Sequence, residues 1–350
     1  MAGFMNLEIK IVNPLEHESW DKYVLGFKEH TFFHSSGWIK VLKETYGYQP
    51  LVFCVNNKER VAAIFPLMQV NSILTGRRGV SLPFSDFCAS IFLDEDVASA
   101  AMKKLLDFGS QQKWKYIELR GNLISVEKHS SYTSYYHHEV NLDDEPELVF
   151  KNFRNSTKRN IKKSISEGVT VHVSASFDAI KQFYVLNCIT RRRHGLPPQP
   201  FRLFKNIYEH IVLKENGFVV TAEWNGKVIG ASVYLHFGDK AVYKYGASDH
   251  SCQHLRANNL IMWEAIKWYC KNGYKAFSFG RTDVDHEGLL QFKRGWGARE
   301  EEVPYYRFDP RSGKALIKGA HNGSLFTKYS SKLPIAALRT FGELMYRHVG

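Results

Sequence analysis

A hairpin pattern that occurs twice constrains this chain more than any other feature of it. Leu51 to Val70 reads as a strand, a polar turn at Asn56-Asn57-Lys58-Glu59 and a second strand, and Phe218 to His236 repeats the pattern around Asn225-Gly226-Lys227. A helical stretch over 97–112 and the strand Trp114 to Leu119 follow the first hairpin; a helical stretch over 258–272 and the strand Tyr274 to Phe279 follow the second. The offset is roughly 160 to 167 residues, far beyond solenoid periods of roughly 20 to 50, so the reading is two duplicated domains and not a repeat array.

The length agrees, because 350 residues exceed what one core serves and 44% apolar content fills two. Strands alternating with helices predict mixed α/β sheets, with domains over 1–150 and 151–310, the second carrying the catalytic cleft, and a helical extension over 311–350. No apolar run of about 18 residues is present to cross a bilayer, and the segment Met1-Ala2-Gly3-Phe4-Met5-Asn6 lacks the basic region and apolar core of a secretion signal, so a cytoplasmic location is expected. Cys54, Cys88, Cys188, Cys252 and Cys270 are odd in number and widely separated, which predicts neither a disulfide framework nor a zinc site.

The formal charge of +12 is unevenly placed: six bases stand between Lys151 and Lys163 with no acid among them, and Arg191-Arg192-Arg193 follows. Such clusters predict an anionic ligand. Ser156 or Asn155 is expected to cap a helix running to Glu167, with Gly168 as its stop and with Arg159 and Lys163 on one face. A helix ending near Arg193, the turn His194-Gly195-Leu196 and the extended Pro197-Pro198-Gln199-Pro200 make a rigid loop suited to a pocket wall, with the arginines as binders. Without a helix-turn-helix, zinc finger or RNP-type pattern, sequence-specific DNA binding is not expected. Nucleotide sugars, lipid pyrophosphates, coenzyme A and a tRNA acceptor end all satisfy the charges.

In the second half, Asn258 to Asn272 is apolar almost all round, marking a packed helix whose amino end, at Arg256 and Asn258, offers backbone amides to a phosphate or carboxylate. Asn258 is the expected cap. The segment Gln291-Phe292-Lys293-Arg294-Gly295-Trp296-Gly297 sets a lysine beside an aromatic ring after a polar loop. A cation there can face the negative charge that develops on a carbonyl oxygen during acyl transfer. Asp283, Asp285, His286 and Glu287 precede it closely enough to hold a general base or an ordering group, and Asp86 is a further candidate from the first half. Their spacing matches no standard metal set.

Taken in order, six segments resemble the FemABX family of aminoacyltransferases and related envelope-polysaccharide proteins. They are His34-Ser35-Ser36-Gly37-Trp38, Ser81-Leu82-Pro83-Phe84-Ser85-Asp86-Phe87, Ser156 to Lys163, Gly230 to Gly246, Asn259 to Ile266, and Phe292 to Gly297, spanning roughly residues 33–307. The resemblance implies two tandem domains of the GNAT acyltransferase fold. It also implies that Lys293 stabilises the oxyanion formed when an amine attacks an activated acyl group, with Phe292 shaping the pocket. A lysine after the early tryptophan, Lys40 or Lys43, and an arginine of the middle segment, Arg191 or Arg192 or their neighbour Arg193, would hold acceptor phosphates, and Tyr243 or Tyr245 would make a further acceptor contact.

The chain departs from the family in two places. Residues 151–214 show no sustained heptads, so the coiled-coil arm of some members, and tRNA binding through it, is not expected. Arg256, Asn258 and Asn259 stand where acetyl-CoA users of the GNAT fold carry a glycine-rich pyrophosphate loop, which argues against an ordinary coenzyme A site. The resulting expectation is an acyl- or aminoacyltransferase acting on an amine of a phosphorylated or lipid-linked glycan or peptide precursor of the envelope or a polysaccharide. It needs no tightly bound cofactor, and its donor, aminoacyl-tRNA or acyl-CoA, stays open. The alternatives are an acyl-CoA-dependent N-acetyltransferase of GNAT type and a GNAT-fold module that binds a phosphorylated glycan without chemistry. The tail, Lys332 to Val349, interleaves apolar and basic residues and reads as an amphipathic helix that either packs back on its own core, the commoner fate of such a segment, or makes peripheral contact with an inner membrane face.

Overall fold

The computed structural model describes residues 7–57, 60–92, 95–121, 130–318 and 331–350. The first hairpin's turn residues Lys58 and Glu59 lie outside this set. The chain divides into two compact units, one of residues 1–135, 302–320 and 347–350, the other of residues 136–301 and 321–346.

In the first unit the strand order is β1 (Leu7–Val12), β2 (Gln49–Asn57), β3 (Arg60–Ser72), β4 (Gly76–Ser81), β6 (Ile117–Arg120) and β13 (Arg299–Phe308), the last belonging to this unit from Glu302 onward, with β5 (Ile91–Phe92) pairing on β3. The strands β2, β3 and β4 form an antiparallel meander, whereas β4 and β6 run parallel. A parallel neighbour requires a crossover, which α3 (Glu95–Gln111) supplies. Its Val97, Ala101 and Leu105 pack with Phe53, Phe65, Leu67 and Trp114 to make the core. Two shorter helices, α1 (Trp20–Leu25) and α2 (Ser36–Tyr46), precede the meander, and α2 is capped by the Ser35 hydroxyl accepting from Trp38 N at 3.3 Å.

The second unit repeats the plan. Its strand order is β7 (Thr133–Asn141, from Tyr136 onward in this unit), β12 (Ala276–Asp283), β11 (Lys240–Ser248), β10 (Lys227–Phe237), β9 (Gly217–Trp224) and β8 (Thr170–Ser174). Again three antiparallel strands, β9 to β11, are followed by a helix, α8 (Ala257–Lys271), and a parallel return, β12. The β9–β10 turn has Asn225 and Gly226 both at positive φ, 51° and 72°, as a two-residue hairpin of type I′ requires. The third strand of each meander was not part of the repeat as read from sequence.

Two layers cover this sheet. On one face α8, buried from Ala257 to Cys270, packs against β9 and β10, with α4 (Pro146–Lys151) and α5 (Asn155–Ser166) outside it. On the other, α6 (Phe177–Arg193) packs on β9 to β11, and α7 (Phe201–His210) packs against α6 with its Phe204 ring 5.3 Å from Tyr245 of β11. Asn258 is not the cap of α8, because the chain enters the helix through Arg256 in the left-handed conformation, φ 60°, which fills that position one residue before the first turn. Nor does Ser156 or Asn155 cap α5: Arg154 does, its N–H donating to Gly295 O at 2.9 Å, so both polar residues fall inside the first turn. Between β8 and β9 the chain forms α6 and α7 in place of a long helical pair, so the described residues show no coiled-coil arm. The tail helix is α10 (Ile335–Val349), following α9 (Glu287–Arg294) and the strand β13.

Candidate active site

The motif around Lys293 is organised by packing. Trp296 is fully buried against Phe153, Phe279 and Phe292, with ring centroids 4.9, 6.1 and 5.9 Å away. The glycines beside it have separate reasons: a Cβ on Gly295 would stand 2.5 Å from Thr157 Oγ1, and Gly297 combines φ 68° with the Asn152 carbonyl 2.7 Å from where a Cβ would be. Only glycine lets α5 and the end of α4 approach this closely.

Lys293 lies on the last turn of α9 and is only 2% exposed. Its Nζ donates to Gly280 O at 2.9 Å and Arg281 O at 3.1 Å, where Gly280 at φ 68° turns the β12 carbonyls inward. Burial of a cation costs free energy unless it is hydrogen-bonded, and these carbonyls offset part of that cost. The preceding residue, Phe292, faces a pocket of about 130 Å³ lined also by Ile229, Ser248, Asp249, Cys252, Arg256 and Asn258. The pocket opens at the amino end of α8.

Three of the residues singled out from sequence, Phe292, Arg256 and Asn258, therefore meet at one pocket, with Lys293 next to Phe292 in the chain. The anion preference of a helix start is reinforced by the exposed Arg256 side chain. Asn258 Nδ2 donates to Ser248 Oγ at 3.3 Å, tying the helix to the end of β11. On the rim, Lys227 Nζ stands 2.7 Å from Asp249, and that hydrogen bond with the Ser251 hydroxyl holds the Asp249 carboxyl at about 2. Cys252 is the half-exposed cysteine; the other four are buried and all five are free thiols.

The remaining candidates are more dispersed. Tyr243 and Tyr245 are two apart on β11, yet the pairing shifts there from Val233–Tyr245 to Tyr234–Tyr243, a bulge at Lys244. The bulge sends Tyr243 toward Tyr234 and the α8 core and Tyr245 toward Phe183 and Phe204 on α6 and α7. Arg191 is engaged by its own surroundings, Nε donating to Pro197 O at 3.2 Å and Nη2 to Tyr346 Oη at 2.7 Å. Arg192 is half-buried and Arg159 exposed on α5. Asp283 is exposed at the end of β12, and His286 caps α9 by accepting from Leu289 N at 3.3 Å. In the first unit, Lys40 and Lys43 are exposed on α2, Lys40 lying 4.0 Å from Glu44. Asp86 is half-buried after a segment held at positive φ by Leu82 and Phe84, and its carbonyl accepts from Tyr305 Oη at 2.7 Å.

Sequence reasoning missed one pair beside Lys293. His138, fully buried on β7, places Nε2 2.7 Å from Glu300, while Arg294 holds the same carboxylate through two bonds of 2.7 and 2.8 Å. Burial and the nearby Lys293 charge push the imidazole down to about 4, against the pull of Glu300. In the sequence His137-His138 sits in an unremarkable alternating strand, and only the fold brings Glu300 to it. Among the described residues no His, Cys, Asp and Glu cluster could hold a metal ion, and no helix is long and apolar enough to cross a membrane.

Comparison with known proteins bears on the segment that builds this pocket. Residues 151–294 match the family model Acetyltransferase (GNAT) domain. A lipid II:glycine glycyltransferase of Staphylococcus haemolyticus is 33% identical over 114 residues, covering 27% of this chain and 27% of that protein. A UDP-N-acetylmuramoylpentapeptide-lysine N(6)-alanyltransferase of Weissella viridescens is 24% identical over 144 residues, 40% of this chain and 42% of that one. The chain thus spans less than half the length of these relatives. Among solved structures, FemX aligns with a TM-score of 0.66 over 85% of this chain and 96% of its own at 14% identity. A tandem GNAT protein from the clavulanic acid biosynthesis pathway aligns at 0.55 over 91% and 100% at 8% identity. The fold is accordingly a tandem GNAT arrangement of mixed α/β units, residues 151–294 carry an acetyltransferase (GNAT) domain, and the relatives that share sequence with the chain are Fem-type aminoacyltransferases.

Proposed function

We propose that this chain is a Fem-type acyltransferase that moves an aminoacyl group onto an amine of a lipid-linked peptidoglycan precursor. The observation that carries the reading is the union of Phe292, Arg256 and Asn258 at one pocket, with the buried Lys293 following Phe292 in the chain, inside the segment matched by the GNAT domain. The glycyl- and alanyltransferases named above act on lipid II and on a UDP-linked muramoyl pentapeptide, substrates that carry both an amine and a pyrophosphate.

In the reaction the amine nitrogen attacks the acyl carbon, the bond from that carbon to its carrier breaks, and the amine proton ends on the departing oxygen or sulfur. Lys293 supplies positive charge where the carbonyl oxygen gathers electrons, and Phe292 walls the acyl group from water. Arg256 and the first amides of α8 hold an anionic group, with Arg159 and Arg192 as further phosphate contacts and Tyr243 or Tyr245 on the acceptor. Asp283 is the proposed base in the second unit. No tightly bound cofactor is needed, because aminolysis of an activated acyl group requires only positioning and charge. A location at the cytoplasmic face of the membrane follows from the acceptor, with the exposed Phe341 and Leu344 of α10 as its peripheral contact.

The donor is decided by titrating the full chain, in thermal-shift measurements, with a UDP-linked muramoyl pentapeptide, an aminoacyl-tRNA analogue and acetyl-CoA. Stabilisation by the precursor and the tRNA analogue supports the reading. A response to acetyl-CoA alone replaces it with an N-acetyltransferase, the activity that the GNAT domain description favours.

A further inference from the structure

The turn between β3 and β4 in the first unit displays two consecutive large apolar side chains to solvent, Ile73 at 94% and Leu74 at 59% exposure. A hairpin tip normally carries polar or small residues, and neither side chain packs in the core. The tip is also tied by hydrogen bonds. Ser72 Oγ accepts from Leu74 N at 3.2 Å and Thr75 N at 2.9 Å, and it meets His348 Nδ1 at 3.0 Å. Thr75 Oγ1 donates to His348 O at 3.0 Å, so the exposed Val349 belongs to the same surface.

Bases surround this apolar point. Arg77, exposed, donates to Gln112 O at 3.3 Å beside the exposed Lys113, and the Lys115 side chain lies over Gly76, its Cε 2.5 Å from where a Cβ would stand. Arg347 is exposed next to His348. Residues 71–79, 112–115 and 347–350 contain no acid.

We infer that this tip docks on an anionic phospholipid bilayer, Ile73 and Leu74 entering the acyl boundary while Arg77, Lys113, Lys115 and Arg347 contact lipid phosphates. Apolar insertion inside a basic collar is the chemistry of peripheral membrane attachment. A protein partner would be met by a broader apolar face, and a free polyanion would have no use for an isoleucine. Because Ser72 pins the turn, insertion orders little further backbone. The surface lies outside the acyl-transfer pocket, and its test does not depend on turnover.

The test is co-sedimentation of the full chain with vesicles of phosphatidylglycerol and phosphatidylcholine, and with phosphatidylcholine alone. The wild type should bind the anionic vesicles, more weakly as salt rises, and Ile73→Asp with Leu74→Asp should lower the partition about tenfold or more. A fluorophore on Leu74→Cys should shift to the blue on anionic vesicles. Unchanged partition of the double variant, equal binding to phosphatidylcholine, or a fluorophore that stays in water overturns the inference. Loss of binding only in Phe341→Asp with Leu344→Asp overturns it too, while leaving the α10 contact standing. Circular dichroism of the double variant should match the wild type, and a self-association without vesicles that this variant abolishes would assign the tip to a protein contact instead.

Discussion

The imidazole of His138 donates from Nε2 to Glu300 Oε2 across 2.7 Å, and the carboxylate that receives it is itself gripped by Arg294. The arginine hydrogen bond, aided by that of His138, keeps Glu300 below the usual carboxylate range, so it can only accept. Nε2 therefore carries the proton of a neutral ring, and Nδ1, a buried lone pair, has no hydrogen-bond partner among the described residues.

A pH dependence follows. The folded protein holds His138 down to about 4 from the ordinary 6.5, whereas the unfolded chain takes up its proton below about 6.5. Between those values the unfolded state binds more protons, so stability is full above 6.5 and declines as the pH falls toward 4. Urea unfolding midpoints across that window should fall more steeply for wild type than for His138→Gln, which keeps a donor to Glu300 but does not titrate. Parallel slopes would show that His138 does not cause the decline.

Arg256 is held at φ 60°, a conformation costing an L-residue about 1–2 kcal/mol, at the rim of the pocket. If its guanidinium serves only the fold, glycine is the better residue there. Arg256→Gly should raise stability by about 1 kcal/mol, because glycine takes this conformation without strain. The same variant should weaken binding of the pyrophosphate-bearing precursor by about tenfold through loss of one charged contact. Calorimetric titration beside thermal unfolding separates the two effects, and unchanged affinity would reduce Arg256 to a turn residue.

Gly297→Ala meets both obstacles described above, a positive φ and the Asn152 carbonyl. A loss of about 2–4 kcal/mol is expected from strain plus displaced backbone. Trp296→Ala should cost about 3–5 kcal/mol by emptying the space between Phe153, Phe279 and Phe292. Denaturant midpoints check both.

Much of the second unit was legible because its signals are local. The turn Asn225-Gly226, the unbroken apolar run of α8 and the bracketed Trp296 each announce themselves within a few residues. The tandem organisation was legible because the two hairpins repeat, although the third strands that complete each meander, β4 and β11, lay outside the repeat as read. Long-range pairings left no such trace: His138 with Glu300, or the bulge at Lys244 that turns Tyr243 and Tyr245 to opposite faces, exists only once strands are aligned. Caps were misread where backbone conformation or a distant carbonyl replaced a side chain, as at Arg256 and Arg154. Arg191 reads from sequence as a ligand-binding base; its guanidinium donates to Pro197 O and Tyr346 Oη, contacts that no pattern in the arginine triplet indicates.

Lys293 offers the sharpest test of the proposed chemistry, since its ammonium is bound by two β12 carbonyls and its neighbour Phe292 lines the pocket. A lysine that only braced α9 against β12 would, when replaced, cost stability and leave the turnover of the remaining folded protein intact. Lys293→Met keeps the length of the stem and removes the charge, leaving the Gly280 and Arg281 carbonyls unsatisfied at a cost of about 1–3 kcal/mol. If the charge also meets the developing oxyanion, kcat for transfer should fall by about 10²–10³ with KM little changed, since the contact strengthens only as the carbonyl oxygen gains charge. Phe292→Ala should show the opposite signature, a raised KM, because the ring contacts ground state and transition state alike. Transfer of a labelled aminoacyl group, measured where unfolding curves show each variant fully folded, separates these outcomes. A Lys293→Met protein that is folded and turns over at the wild-type rate would confine the residue to bracing and reopen the search for the oxyanion donor among the amides at the start of α8.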